Sequence, residues 1–155
     1  MTLRPQTADD IGFVETVYVT HRTEEMLMLD HWTDEQRTSF LKDQFRLQWK
    51  HYETHYQGSE FLVIEVDGQP VGRFYYFDEH PKELRIAEIG FLPEWRRRGL
   101  GGAVLRQVQD YARSAGKFCS IHVEQTNPAR SLYERLGFRE VKAVGPYVLL
   151  EWRPE

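Results

Sequence analysis

An alternating apolar stretch, LRIAEIGFL (84–92), runs through a proline into EWRRRGLGGAV (94–104), and aliphatic residues at helical spacing follow. No other feature constrains the fold as tightly. A β-strand must hand over to an α-helix through a turn that carries three arginines and three glycines. At a helix start the first N–H groups have no intrahelical acceptor, and the helix dipole adds partial positive charge. Gly99, Gly101 and Gly102 carry no side chain, so an anion can reach the main chain there, and the turn is a candidate phosphate cradle. An ordinary exposed glycine turn with a basic rim accounts for the same residues without a ligand. A nucleotide-triphosphate loop requires Gly-Lys-Ser/Thr, and no lysine follows these glycines. A dinucleotide fingerprint requires a small residue where Val104 stands, and its strand should not close an antiparallel meander. A nucleic-acid patch is poorly served, since the following helix adds only Arg106 and Arg113 and the chain carries a net charge of -4.

The 155 residues fit one domain, 1–155, and a hydrophobic fraction of 41% is enough for an ordinary core. Cys119 is the only cysteine, so no internal disulfide can form and a reducing, cytoplasmic setting is expected. Its neighbours Phe118 and Ile121 read as a buried strand, which makes Cys119 a core residue and not a nucleophile. MTLRPQTADD lacks the apolar stretch of a signal peptide, and no run is long enough for a membrane span.

TLRPQ reads as a first strand, and TADD as a near capping box with Asp10 where Glu or Gln is usual. Ile11, Val14 and Tyr18 mark a first helix. Thr33 is the expected N-cap of a second, whose Leu41, Phe45, Trp49, Tyr52 and Tyr56 form an aromatic face, with Gly58 at its end. EFLVIEV and QPVGRFYYF read as a hairpin about Asp-Gly, and LRIAEIGFL as the third strand of a meander. A helix from about Gly101 to Ser114, the strand KFCSIHVE, the short helix NPARSLYERLG with Asn127 as N-cap, and a last hairpin complete the chain. The expected fold class is α/β (α+β): a mixed, mostly antiparallel sheet of about seven strands with about four helices.

LPEWRRRGLGGAVL resembles motif A of the GNAT acetyltransferases, with Arg96-x-x-Gly99-x-Gly101 as its Arg/Gln-x-x-Gly-x-Gly/Ala core. VEQTNPARSLYERLGF resembles the second signature of that family, one helix and one strand further on. The resemblance covers residues 60 to 153 well, and before that it is only general. It implies an N-acetyltransferase that moves acetyl from acetyl-CoA, its co-substrate, to an amine in a ternary complex. An inactive acyl-CoA-binding or sensor domain of the same fold is the alternative. Two strands, LRIAEIGFL and KFCSIHVE, would splay to admit the coenzyme. Main chain at Phe91 and Leu92 would pair with the pantetheine arm, and N–H groups near Leu92 would polarise the acetyl carbonyl. The turn Arg96, Arg97, Arg98, Gly99, Leu100, Gly101 and Gly102 would hold the pyrophosphate. Asn127 and Arg130 would face the coenzyme from the short helix, although N-capping alone also explains Asn127.

The same resemblance makes the Tyr133 phenol the general acid for the departing thiolate, against a plain core tyrosine. A base is needed because a primary ammonium is mostly charged at pH 7. Pleat parity puts Ala87, Ile89 and Phe91 on one strand face and Glu88 on the other, where related sequences often carry an acid, so Glu88 is the candidate base. His122 and Glu124 are runners-up. Cys119 should face away from His122, which speaks against a covalent route.

His51 and His55 stand one helical turn apart, but no third ligand is evident and no metal is expected. Glu24, Glu25, Asp30, Asp34 and Glu35, with Trp32, MLML, Trp49, Tyr52 and Tyr56, read either as a solvated helix junction or as an acidic, aromatic mouth for a cationic amine. The expected partner is an amine-bearing small molecule or peptide, with no nucleic acid and no membrane. A homodimer fits the family. The acceptor stays open.

Overall fold

The computed structural model describes residues 1–26, 32–55 and 59–154, with backbone alone at 23–26 and 54–55. Its elements are β1 (Thr2–Pro5), α1 (Ile11–Met26), α2 (Asp34–His55), β2 (Ser59–Val66), β3 (Gln69–Phe77), β4 (Glu83–Phe91), α3 (Leu100–Ala115), β5 (Phe118–Glu124), α4 (Arg130–Arg135), β6 (Arg139–Val144) and β7 (Tyr147–Trp152). Local chemistry sets most of the boundaries. Thr33 and Gln36 form a reciprocal capping box at the start of α2, with bonds of 2.9 and 3.1 Å. Asp10 takes the place of the usual Glu, accepts the Thr7 N–H at 2.8 Å, and is held by the Arg4 guanidinium at the same distance. That contact, with Thr7, keeps the Asp10 carboxyl well below the usual carboxylate range. Gly116 ends α3 in the left-handed region, at φ 71°. The expected helix end at Gly58 lies outside the described residues.

The strands form one sheet in the order β1-β2-β3-β4-β5-β7-β6. Every pair is antiparallel except β4 with β5, which α3 connects as a crossover. The last strand, β7, enters between β5 and β6. One face is covered by α3 and α4 over Ile64, Phe74, Leu84, Ile86, Cys119, Ile121 and Val148. The other face carries α1 and α2. There Trp49 and Tyr52 meet the rings of Phe61 and Tyr75, and Val17 sits against Gly90. Among the described residues no helix is long and apolar enough to cross a membrane.

Strict pleat parity does not hold along β4. Tyr75 pairs with Glu88 and Tyr76 with Ile86, so Ala87 is an extra, bulged residue. The bulge puts Ile89 and Phe91 on the α3/α4 face with Leu84 and Ile86, and it leaves Glu88 on the α1/α2 face. Ala87 is thus not a regular member of the Ile89 and Phe91 row, while the separation of Glu88 from that row stands.

Candidate active site

β4 and β5 pair only from Glu83 with Phe118 to Ile86 with Ile121. Beyond that point β4 stays on β3 as far as Phe91, and β5 stays on β7 as far as Glu124. The two strands therefore part, and each shows the other an unpaired edge. The Leu92 N–H donates to the Val71 carbonyl at 2.9 Å, and the Leu92 carbonyl accepts from Trp95. Leu92 is thus engaged on both sides and has no N–H to offer an oxyanion. Antiparallel ladders alternate, so the Ile89 and Phe91 N–H groups turn away from β3, toward the opening. Of the Phe91 and Leu92 N–H groups, only that of Phe91 is left facing the opening. Gly72 keeps this stretch in place, because a Cβ there would stand 2.5 Å from the Gly90 carbonyl oxygen and 2.7 Å from the Phe91 ring.

The glycine turn leads from the end of β4 into α3. Arg97 and Gly99 both lie in the left-handed region, at φ 62° and 79°, the kind of backbone that lets successive N–H groups converge on an anion. The first bond of α3 runs from the Ala103 N–H to the Gly99 carbonyl at 3.1 Å, and the N–H groups of Leu100, Gly101 and Gly102 precede it. The three arginines separate by role. Arg96 donates Nε–H to the Phe91 carbonyl at 3.2 Å and ties the turn to the strand. Arg98 lies 4.7 Å over the Trp95 ring. Arg97 contributes its backbone turn. Arg106, one helical turn past Gly102, folds its guanidinium back over that glycine and adds positive charge beside the cradle. Val104 is fully buried in the core.

Tyr133 projects from α4 into the α3/α4 core, with 4% of its surface exposed. Its ring meets Phe138 edge-on at 5.7 Å, and among the described residues its hydroxyl makes no hydrogen bond. Burial, with the Glu88 charge adding to it, pushes the phenol well above its ordinary value, so it stays protonated and keeps its O–H as a donor. The regular helix starts at Arg130, later than expected, and Asn127 accepts the Ala129 N–H at 2.9 Å. Arg130 is bound to Glu134 at 2.7 Å and Glu140 at 3.4 Å.

On the opposite face Glu88 gathers a network. Gln48 Nε2 donates to its Oε1 at 3.1 Å and the Tyr52 hydroxyl at 3.4 Å, both from α2. Arg73, on β3, lies 3.7 Å from Oε2. Only 4% of Arg73 is exposed, and its guanidinium sits between the rings of Tyr18 and Tyr75 at 5.7 and 5.1 Å. His122 shares the Glu88 face. Its Nδ1 is 3.2 Å from an Arg85 NH group, and Arg85 is fixed in turn by Glu83 at 2.9 Å and by Ser120 at 2.6 Å. Burial, together with Arg85 and Lys142, lowers the His122 pKa and keeps the ring neutral. Glu124 ends β5 opposite Tyr147. Cys119 faces the α3 core, where burial pushes its thiol up to about 12.

Phe91 and the glycine turn thus border the opening, with Glu88 on one face of the sheet and Tyr133 in the core on the other. Trp49 and Tyr52 pack on the sheet instead of lining an open mouth. Asp34 pairs with Arg37, whereas Asp30, Tyr56 and the side chains of Glu24, Glu25 and His55 lie outside the described residues. Among the described residues no three His, Cys, Asp or Glu side chains gather as metal ligands. A cleft of about 470 Å³ lined by Arg113, Gly137, Arg139, Trp152 and Arg153 sits near the other end of α3, remote from this chemistry. Sequence reasoning missed Arg73, Gln48 and Arg106. A lone arginine inside the apolar strand QPVGRFYYF was the available signal for the first, and Gly102-to-Arg106 helical spacing for the last.

A family model described as the acetyltransferase (GNAT) family matches residues 25–138. An N-alpha-acetyltransferase of Sulfurisphaera tokodaii is 31% identical over 101 residues, 56% of this chain and 60% of that protein. A mycothiol acetyltransferase of Corynebacterium glutamicum is 34% identical over 86 residues, 54% of this chain and 29% of that protein. The matched region thus spans less than two thirds of these curated relatives. Among solved structures, the PaiA N-acetyltransferase of Thermoplasma acidophilum in complex with coenzyme A has a TM-score of 0.75, at 15% identity over 99% of this chain and 98% of that one.

Proposed function

The chain belongs to the acetyltransferase (GNAT) family, and from that premise we propose that it transfers acetyl from acetyl-CoA to an amine by direct attack in a ternary complex. One observation carries the reading. β4 parts from β5 directly before a glycine turn, with a carboxylate on one face of the gap and a buried phenol on the other. The residues fit the coenzyme. The free Phe91 edge suits an extended amide-bearing arm, which would add as a strand. The N–H groups of Leu100, Gly101 and Gly102, with Arg106 beside them, suit a pyrophosphate. Asn127 and Arg130 belong to the coenzyme side in this reading, each beside its structural contacts.

The coenzyme then occupies the α3/α4 side, and the amine approaches from the Glu88 side. Glu88, through a water, takes the proton of the attacking amine. The Ile89 N–H, which faces the same opening next to Glu88, donates to the carbonyl oxygen as it gains charge. Tyr133 donates to the sulfur as it leaves. A free thiol titrates near 8.5, below the raised phenol, so Tyr133 acts chiefly by hydrogen bonding and the thiol takes its final proton from solvent. One domain carries this activity, in a cytoplasmic setting. Incubating the protein with acetyl-CoA and a panel of amines tests the reading. Thiol release that depends on an amine supports it, and coenzyme binding with no turnover on any amine would favour a sensor.

A further inference from the structure

The side of the opening across from Glu88 carries its own chemistry. His122, Leu149 and Lys142 are successive cross-strand neighbours on β5, β7 and β6 and share one face. Ile121 belongs to the α3 core, so this face is the one Glu88 occupies. Arg85 reaches across from β4 to His122 Nδ1 at 3.2 Å. A guanidinium has only donors, so Nδ1 must be the acceptor, and the one imidazole proton resides on Nε2. Arg85 cannot swing away freely, because Glu83 and the fully buried Ser120 hold it. His122 itself is exposed, and among the described residues nothing accepts from Nε2. The one lone pair of the ring is therefore engaged by Arg85 and is not free to act as a base. It presents a fixed N–H beside the gap, flanked by the cations of Arg85 and Lys142. Glu124 stands one pleat further out, on the row of Tyr147.

We propose that His122 is a specificity-determining residue whose Nε2–H receives an oxygen next to the reacting amine, so that the acceptors are amines flanked by a carboxylate or amide carbonyl. The inference rests on the acetyl-transfer reading. With the amine directed to Glu88 and the neighbouring oxygen to His122, the two sides of the opening match the two polar ends of an amino acid, an amino-acid amide or a peptide N-terminus. A diamine would bring a second cation toward Arg85 and Lys142, which costs Coulomb energy.

Two measurements test this. Imidazole ¹⁵N spectra of the free protein should show His122 as the Nε2–H tautomer at neutral pH, and Arg85→Met should release that preference. An Nδ1–H tautomer or an imidazolium would overturn the inference. The kcat/KM ratio of alaninamide to isopropylamine, which share a carbon skeleton, reads the oxygen contact. That ratio should fall about 10-fold in His122→Phe, the size of one hydrogen bond, and recover most of its value in His122→Gln, which keeps a donor. Comparing variants cancels the difference in basicity between the two amines. An unchanged ratio, or a wild-type preference for putrescine over alaninamide, contradicts the proposal. Alanine against an alanyl peptide then separates free amino acids from N-termini. If no amine releases thiol, the acetyl-transfer reading fails, and the acceptor class with it. Turnover with a flat ratio removes His122 alone.

Discussion

The first half of the β4–β5 contact and the second half use the same two strands for different ends. From Glu83 to Ile86, β4 hydrogen-bonds to β5, and its side chains Leu84 and Ile86 close the core with Cys119 and Ile121. From Ala87 to Phe91, β4 has no strand partner on that side among the described residues. Main-chain donors are strong and obligatory groups, and a strand that leaves them unmet beside a glycine turn has donors to offer a ligand. The bulge at Ala87 marks the border, and it changes which face each later side chain takes. The paired half should therefore govern stability and the parted half should govern chemistry.

The sharpest way to break that division is Glu88→Gln. Loss of the base in the parted half should lower kcat/KM about 100-fold with coenzyme affinity retained, measured by thiol release and calorimetry. An undiminished rate would remove the parted half as the reactive centre. Leu84→Ala, in the paired half, deletes a fully buried side chain and should cost about 3 kcal/mol of stability in urea unfolding. Turnover of the folded fraction should stay near wild type, and a large loss there would mean that the halves are not separable. Tyr133→Phe should lower kcat about 10-fold, one hydrogen bond to sulfur, without loss of stability, since among the described residues the hydroxyl has no partner to lose. A destabilised variant with unchanged kcat would make Tyr133 a core residue only. The smallest expected effect is at Cys119. Its thiol, pushed up to about 12 by burial, should resist iodoacetamide at pH 8 until the chain unfolds, and rapid labelling of the folded protein would show that the paired half opens.

Much of this was legible in the sequence wherever it depended on neighbours along the chain. The order of elements, the Thr33 cap, the glycine turn and α3 all rest on residues a few positions apart, and they stand as expected. The resemblance in LPEWRRRGLGGAVL and NPARSLYERLGF implied that two strands splay. What could not be read was the choice of distant partners. The entry of β7 between β5 and β6, the bulge at Ala87 and the engagement of Leu92 with Val71 each depend on a strand elsewhere in the chain. Glu88 was chosen by parity, yet its surroundings, Arg73 from β3 with Gln48 and Tyr52 from α2, come from elements parity does not see. His122 entered as a runner-up base and emerges with its Nδ1 lone pair facing Arg85, a contact from another strand.

Amide hydrogen exchange at Phe91, read against Ile86, tests the central claim most directly. The account predicts that the Phe91 N–H exchanges quickly in the free protein and becomes protected when coenzyme A is added, while the N–H groups of the Glu83–Ile86 pairing stay protected throughout. A Phe91 N–H that is protected without coenzyme, or that coenzyme leaves unprotected, would contradict it.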